Sequence, residues 1–292
     1  MKAEFEEKDY EAPLYGELKF GSHRFATPGQ VFEGKIGIDA ALEAQHPLFW
    51  DLFGYHDIPT GAILNDFRWG FIWRTLKNKT RLLPTFKTNL LIQAKRPHYL
   101  TRSTKALKEL GIQSAHWRIE VTPHQQVLLE KVSDKLRNRA LVVYAAPAFH
   151  TFDDLYNYTE HQEVFENSSF VKVARMADHE KWLYDAPGTK GVAHSIPEII
   201  EDDPIHTMIE KASKLTDGVD FVDNVSILYR AISEACLELK EVNPLARYYL
   251  NRYNDYEKKG YFQRFPEATE YFGFSLFCYV TKLTWIALQE GK

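Results

Sequence analysis

Two short stretches of this 292-residue sequence carry polar side chains that could bind a metal ion and act on a phosphate. The first contains Glu33 and Asp39, and the second contains Gln93 and Lys95 at the end of the apolar run 88–95. Residues two apart in a strand lie on the same face, so Gln93 and Lys95 are predicted to point the same way. Buried polar groups need partners, and the carboxylates of Glu33 and Asp39 are suitable partners if the two segments adjoin.

Together these residue types match what phosphodiester hydrolysis requires. Two carboxylates and an amide oxygen, from Asp39, Gln93 and Glu33, are hard oxygen ligands of the kind that Mg²⁺ prefers. A bound Mg²⁺ polarises a phosphoryl oxygen and lowers the pKa of a bound water. Lys95 can orient that water and stabilise the charge that develops on the phosphate. We therefore expect Mg²⁺ as the cofactor, with Mn²⁺ as an alternative ion, and four catalytic residues: Glu33, Asp39, Gln93 and Lys95.

These residues resemble the motif of the PD-(D/E)XK nuclease superfamily. The resemblance rests on Glu33, Gly37-x-Asp39 and Gln93-x-Lys95, and it is closest to the Mrr-like restriction-endonuclease branch, where Gln often replaces the acidic residue before x-Lys. It covers roughly residues 25–150. It implies an α/β fold with a restriction-endonuclease-like core, in which helices flank a central mixed β-sheet. It also implies a magnesium-dependent endodeoxyribonuclease that cleaves DNA, with restriction or anti-phage defence as its setting.

The sequence departs from that motif in three places. Ile38 rather than proline precedes Asp39, Gln93 is neutral, and Gln93 follows Asp39 at a distance of 54 positions along the sequence. These departures motivate an alternative, in which a catalytically inactive nuclease-like fold serves as a nucleic-acid-binding or protein-assembly subunit. In a third interpretation Glu33 and Asp39 are turn residues and Lys95 is a surface charge at the end of a strand.

The charge is distributed unevenly along the chain. Thirty-six Lys and Arg against 40 Asp and Glu give a net charge of −4, which argues against a uniformly basic nucleic-acid binder. Residues 68–108 nevertheless contain eleven Lys and Arg and no acidic residue, enough to neutralise several phosphates. The alternative is a solvated basic loop that acidic helices compensate. The candidate nucleic-acid contacts in this stretch are Arg74, Lys77, Lys79, Arg81, Arg96 and Arg102.

The elements that must position these residues follow from hydrophobic periodicity. A strand over 88–95, a helix opened by Thr122-Pro123 and an apolar strand over 140–146 are predicted, and Gln125 and Gln126 on the helix are candidates to face the site. We predict a nuclease-like α/β domain over residues 1–195. A C-terminal all-helical subdomain is expected over 196–292, with helices predicted over 195–215, 225–239, 244–256 and 268–289.

Several other classes lack their motifs. The sequence contains no GxxxxGK[ST], GxGxxG, GxSxG or HExxH pattern, which disfavours ATP hydrolysis, dinucleotide binding, α/β-hydrolase chemistry and zinc peptidase chemistry. Its two cysteines, Cys236 and Cys278, are expected to be buried thiols. No signal peptide or membrane span is expected, so the predicted location is cytoplasmic. Besides DNA, a second copy of the chain or a defence-system protein is the expected partner.

Overall fold

Two five-stranded sheets organise the part of the chain that this computed structural model describes, residues 1–18, 24–26, 85–258 and 266–289. The strands are β1 (Arg24–Ala26), β2 (Thr88–Ala94), β3 (His98–Leu100), β4 (His116–Glu120), β5 (Ala140–Pro147), β6 (Ser168–Lys172), β7 (Lys181–Tyr184), β8 (Lys190–His194), β9 (Glu198–Glu201) and β10 (Thr284–Gln289). The first sheet is mixed, with the order β1-β10-β2-β5-β6, and the second is antiparallel, with the order β3-β4-β7-β8-β9.

Helices pack on both faces of the mixed sheet. In the same described ranges the helices are α1 (Glu7–Leu18), α2 (Lys105–Glu109), α3 (Pro123–Leu136), α4 (Phe152–His161), α5 (Ile205–Lys214), α6 (Phe221–Leu239), α7 (Pro244–Lys258) and α8 (Pro266–Thr281). Leu91 of β2 belongs to the buried cluster that contains α3, α6 and α8, whereas its neighbour Leu90 packs with α1 and α5. This alternation follows from the period of two in a strand, and it confirms the predicted α/β architecture with helices around a mixed sheet.

The centre of the sheet is the parallel pair β2 and β5. Both strands read as nearly continuous apolar runs because both of their faces are covered. The chain passes from one to the other through β3, α2, β4 and α3 in that order. Helix α3 begins at Pro123 after Thr122, as the local sequence predicts. Gln93 is aligned with Tyr144 of β5. The parallel pairing therefore places the polar end of β2 beside the carboxyl-terminal half of β5.

The C-terminal third is not all-helical, and this prediction was wrong in two places. The segment 195–215, expected to be one helix, forms strand β9 and helix α5 instead. Pro204 precedes the first residue of α5, and a proline at this position disfavours extension of the helix towards its N-terminus. The expected helix over 268–289 ends at Thr281, and the chain continues as β10. Strand β10 forms backbone hydrogen bonds with both β1 and β2. Pairing of the backbone groups in the sheet therefore outweighed the local helical pattern.

The two cysteines lie in helices of this region, Cys236 in α6 and Cys278 in α8. The side chains of Cys236 and Cys278 are both buried thiols, as predicted. Among the helices of the described ranges, none combines the length and apolar character needed to cross a bilayer.

Candidate functional site

Gln93 and Lys95 border one cavity of about 540 Å³ at the end of β2. The cavity also receives Glu7 from α1, Gln125 from α3 and Lys282 from the connection between α8 and β10. Gln93 and Lys95 were predicted to lie on the same face of the strand, and both side chains do border this cavity. These four separate parts of the chain therefore meet around the polar end of a buried strand.

The main-chain carbonyl of Thr281 holds the two glutamine side chains. Gln93 Nε2 donates to this oxygen at 3.0 Å, and Gln125 Nε2 donates to it at 2.7 Å. Thr281 is the last residue of α8, where carbonyl groups lack partners within the helix. The end of α8 thus uses its free carbonyl to fix the orientation of both amides.

Lys95 lies against neutral groups. Its Nζ donates to Gln125 Oε1 at 3.3 Å and lies 5.4 Å from the centre of the Tyr144 ring. Burial lowers the pKa of the Lys95 ammonium to about 8, the nearby Glu7 carboxylate opposes this change, and Lys282 adds to it. A lysine with such a pKa is present in both protonation states near neutral pH, which is a useful property for proton transfer or for holding an anion.

Glu7 brings a carboxylate into the cavity. Its Oε2 lies 4.0 Å from Lys282 Nζ, and its charge acts on Lys95. Glu7 was missed by the sequence reasoning, which considered Glu33 and Asp39 as the acidic groups. The local signal was weak, since a glutamate in the first turn of a helix is ordinarily explained by the helix dipole.

The structure brings Gln93, Lys95 and the candidate Gln125 together at the cavity. Gln126 lies elsewhere: its Nε2 donates to Val173 O at 2.8 Å, and its Oε1 accepts from Tyr144 Oη at 2.8 Å. Its buried amide therefore joins α3 to the sheet. The predicted site residues outside the described ranges are Glu33, Asp39, Arg74, Lys77, Lys79 and Arg81.

The two remaining candidate nucleic-acid contacts have different environments. Arg96 borders the cavity, but its guanidinium donates to Ala3 O at 2.9 Å through Nε and forms an ion pair with Glu6. Arg102 is exposed in the connection between β3 and α2. Arg96 therefore ties the N-terminal segment to the end of β2, while Arg102 is accessible to a partner.

The oxygen atoms around the cavity belong to amide and carboxylate groups, which are the types of ligand that a hard cation prefers. Gln93 is 2% exposed, and its Oε1 has no hydrogen-bond partner within the described part of the chain. A buried amide oxygen without a partner is costly, and such an oxygen is a suitable ligand for Mg²⁺. Across residues 1–18, 24–26, 85–258 and 266–289, no three His, Cys, Asp or Glu side chains are grouped closely enough to hold a metal.

The lining of the cavity thus includes two amines, two amides and a carboxylate, with one amide oxygen unpaired. Such groups can bind an anionic ligand and move a proton beside it. Comparison of this chain with known proteins gave no match to a protein-family model, a curated protein or a solved structure.

Proposed function

We propose that this protein is a magnesium-dependent nuclease that hydrolyses phosphodiester bonds of DNA, and that the cavity at the end of β2 is part of its active site. The observation that supports the proposal is the meeting of Gln93 and Lys95 at one cavity, with the amide oxygen of Gln93 unpaired. The path from β2 through α3 to the parallel strand β5 also agrees with the core that the motif implies. Restriction or anti-phage defence is the setting that accompanies such an activity.

Each residue has a distinct role in this proposal. Mg²⁺, when bound, polarises the phosphoryl group and lowers the pKa of the attacking water. Gln93 offers its amide oxygen to the ion, and Glu33 and Asp39 supply the carboxylates that a complete ligand set requires. Lys95 orients the water and stabilises charge on the phosphate, while Gln125 holds the Lys95 amine in place.

The test is cleavage of supercoiled plasmid DNA in the presence of Mg²⁺ or Mn²⁺. We expect Lys95→Ala and Asp39→Ala to abolish cleavage, while circular dichroism and thermal unfolding show that both variants fold. Lys190→Ala is the matched control, because Lys190 is an exposed lysine on β8 and lies outside the cavity. Cleavage that persists in both Lys95→Ala and Asp39→Ala would refute the assignment.

A second result would support the alternative function. The wild-type protein would then bind DNA in a salt-dependent way, but no divalent ion would support cleavage. In that case the nuclease-like fold acts as a binding subunit. The neutral Gln93, in place of an acidic residue, is the observation that favours this alternative. Its replacement, Gln93→Glu, adds a carboxylate at that position, so a gain of cleavage in this variant would show that the missing charge limits the activity.

A further inference from the structure

The polar groups of the cavity are recessed below several walls. Gln93 and Gln125 are 2% and 8% exposed. Residues from α1, from the connection between β4 and α3, from α7 and from the end of α8 surround them, including Glu7, Thr122 and Leu245. A ligand must therefore enter the cavity to reach the amide oxygen of Gln93 and the amine of Lys95.

The size of the cavity limits what can enter. A volume of about 540 Å³ falls within the roughly 300–1,000 Å³ that is typical of sites for small molecules. A single nucleotide can occupy such a space, whereas a length of double helix cannot. Enzymes that act in recessed pockets on nucleic acid either use single strands or remove a nucleotide from the stacked helix.

The charge of the cavity matches one phosphodiester. Lys95, Lys282 and Glu7 interact electrostatically with one another, and with both amines protonated their sum is one positive charge. Among the other charged residues of the lining, Arg96 is already paired with Glu6, and the charges of Lys2 and Glu120 are opposite and cancel in the sum. The cavity therefore has the charge to neutralise a single phosphate rather than a row of them.

We propose that the cavity accepts one unpaired nucleotide, with its phosphate between Lys95 and Lys282, so that the protein acts on single-stranded DNA and on unpaired segments rather than on continuous duplex. The inference rests on the nuclease function proposed above, because it names the substrate of the same site. Lys282 becomes a residue that binds the phosphate of the substrate. The left-handed backbone at Lys282, with φ of 54°, turns the chain where its side chain borders the cavity.

The test compares four DNA ligands with the full-length protein in Mg²⁺. They are a 12-nucleotide single strand, the same sequence as a duplex, a longer duplex with a central bubble of unpaired thymidines, and thymidine monophosphate. We expect cleavage of the single strand and of the bubble, with cleavage of the duplex at least tenfold slower. Equal or faster cleavage of the duplex would overturn the inference and leave the nuclease function standing.

Binding provides a readout that does not require cleavage. Fluorescence anisotropy in Ca²⁺ should show at least tenfold tighter binding of the single strand than of the duplex. Lys282→Gly, which keeps the backbone conformation and removes the charge, should lower the slope of log affinity against log salt by roughly 0.7 for the single strand. Lys282→Arg should restore the slope, and Lys190→Ala should leave it unchanged.

The binding data decide between the remaining outcomes. Absence of cleavage with every DNA refutes the nuclease function. Tighter binding of the single strand than of the duplex would then still support the inferred ligand, and equal binding of the two would refute it. Binding of thymidine monophosphate as tightly as the strand would overturn the inference in favour of a free nucleotide. An unchanged salt slope in Lys282→Gly would likewise overturn it, because Lys282 would then not contact a phosphate.

Discussion

Gln93 and Gln125 share a single hydrogen-bond acceptor, the carbonyl oxygen of Thr281. Since a carbonyl oxygen only accepts, both amide groups must present nitrogen to Thr281 and keep oxygen for other partners. Gln125 Oε1 accepts from Lys95, and Gln93 Oε1 is left unpaired. The end of α8 therefore sets the direction of the amide groups at the end of β2.

Replacement of Gln125 tests how this contact controls Lys95. Gln125→Glu places a carboxylate near the Lys95 amine, and an opposite charge at such a distance raises the pKa of a lysine by about 1–3 units. We expect the pH profile of cleavage to move upward accordingly. The pKa can be followed directly by NMR of Lys95 after ¹³C-methylation of the lysines.

Gln125→Met is the matched variant, because it keeps the length of the side chain without adding charge. It removes the hydrogen bond to Lys95 and should leave the pKa of Lys95 at or below about 8, since burial still disfavours the ammonium. An identical Lys95 pKa in Gln125→Glu and Gln125→Met would contradict the contact seen in the structure.

Because the Lys95 amine is buried, the free energy of unfolding should depend on pH in the alkaline range. Its pKa is about 8 in the folded protein against 10.5 for an unperturbed lysine. Between these values the unfolded chain binds more protons, so the free energy of unfolding gains a contribution that rises with pH, by up to roughly 3 kcal/mol. Below pH 8 the destabilising contribution of Lys95 is constant.

Urea unfolding of wild type and Lys95→Met across pH 7–10.5 measures this contribution. The advantage of Lys95→Met over wild type should decrease as pH rises through this window, since only the wild type gains stability there. Lys190→Met should run parallel to wild type, because Lys190 is exposed. Parallel curves for Lys95→Met and wild type would show that Lys95 titrates normally.

The stability of the protein should differ between variants with glycine and with a β-branched residue at the turn of Lys282. A φ of 54° is left-handed, a conformation that costs a residue with a Cβ about 1–2 kcal/mol. We expect Lys282→Gly to keep or raise the unfolding temperature. We expect Lys282→Val to lower the free energy of unfolding by about 1–2 kcal/mol relative to Lys282→Gly. Calorimetry of the pair checks this, and equal stabilities would mean that the backbone at 282 is not left-handed.

Asn89 connects the C-terminal strand to the rest of the mixed sheet. Its Oδ1 accepts from Trp285 Nε1 at 2.8 Å and from Asn224 Nδ2 at 2.8 Å, and its Nδ2 donates to Asn224 Oδ1 at 3.0 Å. Asn89→Leu leaves these buried groups unpaired, at roughly 1–3 kcal/mol for each one. We expect a large loss of stability in urea.

Hydrogen exchange should locate the damage from Asn89→Leu. Amides of 284–289 should exchange faster than in wild type, because Trp285 loses its anchor in β2. Asn157→Ala, at an exposed position of α4, should change neither the stability nor the exchange of β10. Unchanged protection of 284–289 in Asn89→Leu would show that backbone pairing alone holds the strand.

The elements around the site follow from local patterns, and these were predicted well. The apolar run of β2, the opening of α3 at Thr122-Pro123 and the apolar run of β5 each carry their signal within a few residues. The common face of Gln93 and Lys95 follows in the same way from the period of a strand. The predictions failed at 198–201 and at 284–289, where helices were expected and strands are found. Residues 284–289 fit either a helix or a strand locally, and pairing with β2 decides between the two.

What the sequence by itself determined is therefore the local chemistry: a buried strand with an amide and an amine at its polar end. Only the tertiary structure decided what surrounds them. Glu7, Gln125 and Thr281 are distant from Lys95 along the chain, and they meet it because α1, α3 and α8 bury their apolar residues around the same sheet. Burial by those helices is also what lowers the pKa of Lys95, and it is a property of packing that no short stretch of sequence contains.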